Sequence, residues 1–169
     1  MIGRKVVAIL MLLVAGWAAA GCGARATATT GRATTAPPPD DPAGFIDLLA
    51  GDGRRTAALD DVSFILARDE VQLVVFVEDQ GGSLQAVLPY LGAPFPASRD
   101  DIERWNATRR FGRAFRDEDG RPTLACDLVL GPGVGQEAVT AWADLALALA
   151  AAFRDEMWPT PASVGPVNE

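Results

Sequence analysis

The feature that most constrains the fold is a long apolar stripe near the carboxyl end of the chain. From Gln136 to Trp158, large apolar side chains recur every three or four residues, and Pro159 ends the pattern. The stripe consists of Val139, Trp142, Ala146, Leu149, Phe153 and Met157. A helix with one apolar face must bury that face against another element. The rest of the chain must therefore supply an apolar surface of matching length.

Extended segments provide that surface. The run 71–77 is rich in β-branched residues and almost continuously apolar, which is typical of a buried central strand. In the run 122–130, Leu124, Cys126 and Leu128 alternate with smaller or polar residues, which predicts one buried face. The predicted strands are 62–67, 71–77, 83–88, 112–116 and 122–130.

Two shorter helices complete the pattern. One is predicted around Phe45–Leu49, and a second begins after Ser98, which has Asp101 three residues later in a capping-box arrangement. The order is helix, three strands, helix, hairpin, helix. This order predicts an α+β fold, an antiparallel sheet of about five strands with helices packed on one face.

Several large side chains are predicted to have a structural role in this core. Cys126 is included because a thiol on a leucine face behaves as a small hydrophobe rather than as a nucleophile. The predicted structural residues are Trp105, Phe111, Phe115, Cys126, Trp142 and Phe153.

The stretch 101–158 carries a set of recognisable motifs. They are IERWN at 102–106, RFGRAF at 110–115, an acidic loop ending in Asp119-Gly120, and LACDL at 124–128. Together they resemble the YbjN-domain family, which is described as bacterial sensory transduction regulators. The resemblance implies a fold like that of type III secretion chaperones. It also implies a non-enzymatic platform that binds an extended or helical partner segment.

The amino terminus has the pattern of an export signal. Arg4 and Lys5 precede an apolar run, small residues follow, and the segment ends in Ala19-Ala20-Gly21-Cys22. This ending resembles a lipobox, in which diacylglycerol is attached to the cysteine and cleavage occurs before it. Two alternatives remain open: ordinary cleavage after Ala20, and an uncleaved membrane helix, for which the run is short.

The lipobox interpretation divides the chain into four parts. Residues 1–21 are the signal peptide, and 22–42 are a lipidated Cys22 followed by a disordered tether without large apolar side chains. Residues 43–158 are the YbjN-like domain, and the proline-rich tail 159–169 is predicted to be disordered. We expect membrane anchoring through lipid on Cys22, on the extracytoplasmic side of the cell envelope.

Composition and charge exclude several classes of function. The chain has no histidine and two cysteines, so histidine-based triads and histidine- or thiolate-ligated zinc sites cannot form. Its net charge is −7, and removal of Arg4 and Lys5 with the signal leaves 13 basic and 22 acidic groups, a net of −9. Such a body does not suit nucleic-acid binding. No cofactor is expected beyond the acyl chains on Cys22.

The interval from Arg99 to Arg121 contains seven arginines and six acidic residues. It is interpreted either as a surface that recognises carboxylates or phosphates, or as a solvated face of weak salt bridges. Asn106 either bonds a neighbouring backbone group or contacts a partner. The candidate partner-binding residues are Asn106, Arg109, Arg110, Arg113 and Arg116.

Three functions follow as hypotheses. The first is an interaction or regulatory domain that binds a protein or peptide partner in the envelope, with a second copy of the chain as a further candidate partner. The second is a small-ligand sensory domain, and the third is an enzyme with carboxylate-based chemistry. No metal site is predicted, because the acidic loop at Asp117 and Asp119 lacks the later ligands of a calcium loop.

Overall fold

The computed structural model describes residues 36–78, 82–89 and 97–158. The predicted signal peptide, Cys22, the tether up to residue 35 and the tail 159–169 lie outside the described residues. The elements, in chain order, are α1 (Pro42–Leu49), β1 (Arg55–Ala58), β2 (Ser63–Arg68), β3 (Val71–Glu78), β4 (Ser83–Leu88), α2 (Arg99–Thr108), β5 (Arg113–Arg116), β6 (Pro122–Val129) and α3 (Gln136–Met157).

The strands form one sheet in the order β1-β2-β3-β4-β6-β5, and every neighbouring pair is antiparallel. The predicted α+β class is therefore confirmed, with six strands where about five were predicted. The additional strand is β1, whose sequence Arg-Thr-Ala-Ala has none of the apolar alternation that marks a half-buried strand.

The main core lies between one face of the sheet and the helices. Phe64, Val75, Ala86 and Cys126 form a row of cross-strand neighbours on this face, and all four are buried. Eight residues of α3 are buried above the sheet: Val139, Trp142, Ala143, Ala146, Leu147, Ala150, Phe153 and Met157. Five of them belong to the predicted apolar stripe, whereas its sixth member, Leu149, is only half-buried.

Trp105 joins α2 to this core. Its side chain is 1% exposed, and its ring meets that of Phe153 edge-on, with the ring centroids 5.1 Å apart. The structure thus buries Trp105, Cys126, Trp142 and Phe153, as predicted. Phe115 is half-buried on the other face of the sheet. On that face, Ile65, Val74 and Ala125 are buried in the middle.

Both short helices begin at side-chain caps. The Asp41 carboxylate accepts a hydrogen bond of 2.7 Å from the Gly44 N–H at the start of α1. At the start of α2, Ser98 and Asp101 form the reciprocal capping box that their spacing predicts.

Residues just before α1 contact the start of α3. The Gln136 N–H donates to the Ala36 carbonyl at 3.3 Å, and the Gln136 side chain donates to the Pro37 carbonyl. These contacts fall in the segment that the sequence assigns to the tether. In the described ranges, none of the helices combines the length and apolar character required to span a membrane.

Candidate partner-binding site

The predicted partner-binding residues lie on α2, on β5 and in the turn between them. We call the residues Arg109–Arg113 the Phe111 turn, because Phe111 lies at its centre. It starts at Arg109, the C-terminal cap of α2, and ends at Arg113, the first residue of β5. The structure therefore brings Arg109, Arg110 and Arg113 together. The five predicted side chains nevertheless differ in their contacts.

Asn106 fixes the turn from the helix side. Its side-chain amide donates to the Ala114 carbonyl at 2.8 Å and accepts from the Ala114 N–H at 2.8 Å. Strand β5 is at the end of the sheet and pairs only with β6. The Asn106 amide therefore bonds to the backbone groups of Ala114 to which a further strand would otherwise bond. Asn106 thus has the first of its two predicted roles, a bond to a neighbouring backbone group, and its assignment as a partner-binding residue stays a prediction.

Arg109 is also engaged within the domain. Its guanidinium lies over the Trp105 ring, 5.1 Å from the centroid, and forms an ion pair with Glu156 of α3. The contact fixes the first residue of the Phe111 turn to the carboxyl-terminal part of α3 and neutralises the charge of the arginine.

Arg116 is bound to backbone carbonyls rather than displayed for a partner. It donates to the Gly120 carbonyl at 2.8 Å and to the Ala97 carbonyl at 2.7 Å. These bonds link the end of β5 to the following turn and to the residue before the Ser98 cap of α2. Arg116 thus has a structural role, and its assignment as a partner-binding residue stays a prediction.

Arg110 and Arg113 are exposed, and neither forms an ion pair within the part of the chain that the structure describes. Arg113 lies over the Phe115 ring, 5.4 Å from its centroid. Since Ala114 belongs to the core under the helices, strand alternation directs Arg113 and Phe115 to the opposite face of the sheet. These two arginines supply the unpaired positive charge of the Phe111 turn.

Phe111 corrects the sequence analysis most clearly. It was predicted to have a structural role in the core, but 75% of it is exposed and its φ of 68° is left-handed. That conformation costs a side chain with a Cβ about 1–2 kcal/mol. At the next residue the backbone lies close to the core, because a Cβ on Gly112 would be 3.2–3.4 Å from Leu124, Cys126 and Leu149. The Gly112 backbone packs against the core, whereas the Phe111 ring lies in solvent.

A partly buried ion cluster was not predicted. The Arg54 side chain is 3% exposed, donates to the Leu49 carbonyl at 2.9 Å, and pairs with Asp144 at 2.7 Å. Arg68 pairs with the same carboxylate. Partial burial raises the pKa of Asp144, but hydrogen bonds from both arginines outweigh it and leave the pKa below its usual value. Three residues so far apart in sequence give no local signal, and their role here is to tie α3 to the sheet and to the end of α1.

One cavity lies near the carboxyl end of α3. It has a volume of about 340 Å³ and is lined by Glu70, Arg154, Asp155 and Trp158. Its arginine already pairs with Glu70 at 3.4 Å and with Asp155 at 3.2 Å. The cavity therefore offers an anionic ligand no unpaired cation.

Cys126 has the environment of an unreactive thiol. Burial, with a further contribution from the charge of Asp127, raises its pKa to about 12. A nucleophilic cysteine needs a lowered pKa and access to solvent, and Cys126 has neither.

In the acidic loop, the Asp117 carboxylate stabilises the turn that contains it. Asp117 accepts hydrogen bonds from the backbone N–H groups of Asp119, at 3.0 Å, and Arg121, at 2.8 Å. Among the residues with described positions, no three acidic or cysteine side chains come together as a metal site would require.

The fold and the site define an α+β domain with a rigid, exposed Phe-Arg turn. The chain belongs to the YbjN family, described as "Putative bacterial sensory transduction regulator", whose model matches residues 50–158. A solved structure with a similar fold is that of the heterodimeric ExoU-SpcU complex from the type III secretion system of Pseudomonas aeruginosa. The matching chain is 18% identical with a TM-score of 0.46, and the match covers 68% of this chain and 98% of that one. A search of curated proteins finds no match to the chain.

Proposed function

We propose that this chain is an exported lipoprotein whose YbjN domain acts without catalysis, by binding a protein partner in the cell envelope. The observation that carries the proposal is the Phe111 turn. A domain that only needed to fold would gain stability by replacing an exposed, left-handed phenylalanine with asparagine or glycine. Aromatic residues and arginine are the types most enriched at the centres of protein interfaces.

The family description supports a regulatory role, since a regulator acts through its contacts with other molecules. Cysteine chemistry does not favour an enzyme, because the Cys126 thiol is buried with a raised pKa. The ligand hypothesis gains no support from the cavity at Arg154, whose charge is already paired. The lipoprotein part of the proposal depends on the sequence Ala19-Ala20-Gly21-Cys22.

Membrane attachment is tested by replacing the cysteine of the lipobox. Cys22→Ser removes the thiol that would carry diacylglycerol, so we expect the protein to move from the membrane fraction to the soluble fraction of the envelope. Ala20→Ser, which keeps a small residue and the thiol, is the matched control and should remain membrane-bound. Retention of Cys22→Ser in the membrane fraction would contradict lipid anchoring.

Partner binding is tested in living cells with a photoreactive amino acid at position 111. We expect a crosslinked adduct with a discrete protein, identified by mass spectrometry. The same amino acid at position 129 is the control, because Val129 is another large apolar residue with high exposure, 73%. Adducts of equal yield at both positions, or at neither, would contradict a specific protein contact at the Phe111 turn.

A further inference from the structure

We infer that the partner presents an acidic segment to the Phe111 turn. In this complex the Phe111 ring packs on an apolar residue of the segment, and Arg110 and Arg113 pair with carboxylates on either side of that residue. The inference rests on the proposed function, because it names the chemistry of the partner at the same site.

The Phe111 turn is held by contacts within the domain, without any partner. Asn106 holds it from α2 through both backbone groups of Ala114, and Gly112 packs against the core at Leu124 and Cys126. The Arg109 contacts with Trp105 and Glu156 fix the other end. A preformed loop loses little conformational entropy on binding, which is the requirement for an anchor residue.

The charge of the turn determines the kind of partner. Arg109 forms an ion pair with Glu156. In the described ranges, Arg110 and Arg113 are therefore the exposed cations of the Phe111 turn that have no ion pair. Guanidinium groups match carboxylates in a two-point geometry, and Arg113 is already oriented by its position over Phe115. The chemistry therefore favours carboxylates on either side of an apolar residue.

An acidic protein segment fits the turn better than an anionic membrane does. Recognition of anionic lipid usually requires about 4–8 clustered basic residues, and the Phe111 turn offers two unpaired arginines. The exported chain, with these arginines included, has a net charge of −9, which would oppose approach to an anionic surface. The same body would be repelled by nucleic acid.

The test is a selection of random dodecapeptides on the purified Cys22→Ser chain, followed by fluorescence anisotropy with the enriched peptide. We expect enriched peptides to carry Asp or Glu on both sides of an apolar residue, and their affinity to fall as salt is raised. Phe111→Asn should weaken binding at least tenfold, and Arg113→Gln should weaken it several-fold. Two controls should bind like the parent chain: Val129→Thr, another exposed apolar site, and Arg99→Gln, another exposed arginine.

Phe111→Asn also separates loss of binding from loss of fold. Asparagine tolerates left-handed φ better than phenylalanine, so the variant should melt at the same temperature as the parent chain or a higher one. A lower melting temperature together with weaker binding would mean that the ring is structural, and would overturn the inference.

Other outcomes would overturn it as well. These are the enrichment of no peptide, peptides without acidic bias, or equal weakening by the control variants. Vesicles of phosphatidylglycerol that sediment the parent chain but not Phe111→Asn would identify a membrane instead. Self-association lost in Phe111→Asn would identify a second copy. Crosslinks at position 111 in cells, combined with non-acidic peptides, would refute this inference and leave the proposed function standing.

Discussion

At the scale of single residues, Asn106 distinguishes this domain because its side chain forms hydrogen bonds with the backbone of an edge strand. Asn106 satisfies the outer N–H and C=O of Ala114, so the free edge of β5 is closed at that point by a side chain. An open strand edge invites pairing with other chains. Asn106 therefore both positions the Phe111 turn and protects the sheet.

The role of Asn106 can be measured by its removal. Asn106→Ala should lower the free energy of unfolding by about 1–3 kcal/mol, because two hydrogen bonds of about 0.5–1.5 kcal/mol each are lost. Urea denaturation gives the value. Asn106→Asp keeps the acceptor for the Ala114 N–H but places a carboxylate against the Ala114 carbonyl, so it should recover only part of the loss.

Thr108→Ala is the matched control for this experiment. Thr108 lies on the same helix, but its hydroxyl bonds only to carbonyls of α2 itself, with the closer one, that of Arg104, at 2.9 Å. We expect little change in the free energy of unfolding. An Asn106→Ala variant as stable as Thr108→Ala would show that the two bonds to Ala114 contribute nothing.

At the scale of elements, the sequence predicts helices and strands that have a local periodic pattern. It does not predict features that depend on contacts between residues far apart in the chain. The stripe from Val139 to Met157 defines α3 because a helix repeats its pattern every few residues. Strand β1 was missed because it is short and polar at the sheet edge. Phe111 was misassigned because the sequence does not show that the neighbouring Gly112, rather than the aromatic ring, approaches Leu124 and Cys126.

Helix α2 should make the domain sensitive to acid. Hydrogen bonds from the Ser98 side chain, then from its backbone N–H and from Arg104, lower the pKa of Asp101 to about 2 from an ordinary value of 3.8. Because the folded pKa is the lower one, the stabilisation is present above the unfolded pKa and is lost as pH falls toward about 2. Urea denaturation at a series of pH values should show a shallower acid decline for Asp101→Asn than for the parent chain.

Two variants test the cause of that decline. Ser98→Ala removes the main hydrogen-bond donor to Asp101, so it should make the acid decline shallower and lower the unfolding free energy at neutral pH by about 1 kcal/mol. Asp100→Asn removes a first-turn carboxylate that takes no part in the capping box, so it should keep the slope of the parent chain. Equal slopes for all of these chains would contradict the assignment to Asp101.

At the scale of the whole molecule, one architecture accounts for both the stability and the site. The helices cover one face of the sheet, and Asn106, Gly112 and Arg109 use that packed layer to fix a turn at its edge. The unpaired arginines of the Phe111 turn belong to a chain with an overall negative charge. An acidic partner, if it binds there as proposed, would be oriented by these two charges.

The same architecture predicts where the folded domain begins. Asp41 caps α1, and the Ala36 and Pro37 carbonyls accept hydrogen bonds from Gln136 at the start of α3. A chain starting at Ala43 lacks all of these contacts. It should therefore be less stable than one starting at Ala36 by about 1 kcal/mol or more, since loss of a helix cap alone costs about that much. Thermal denaturation of the two chains measures the difference.

Point variants in the chain that starts at Ala36 identify which contact matters. Asp41→Ala removes only the cap and should reproduce most of the loss, whereas Asp40→Ala, one residue earlier, should leave the melting temperature unchanged. If the two truncated chains melt together, residues 36–42 add nothing to the fold, and the domain starts where the sequence alone places it. If Asp41→Ala is silent but the truncation is not, the contacts between the Ala36 segment and Gln136 provide the stabilisation.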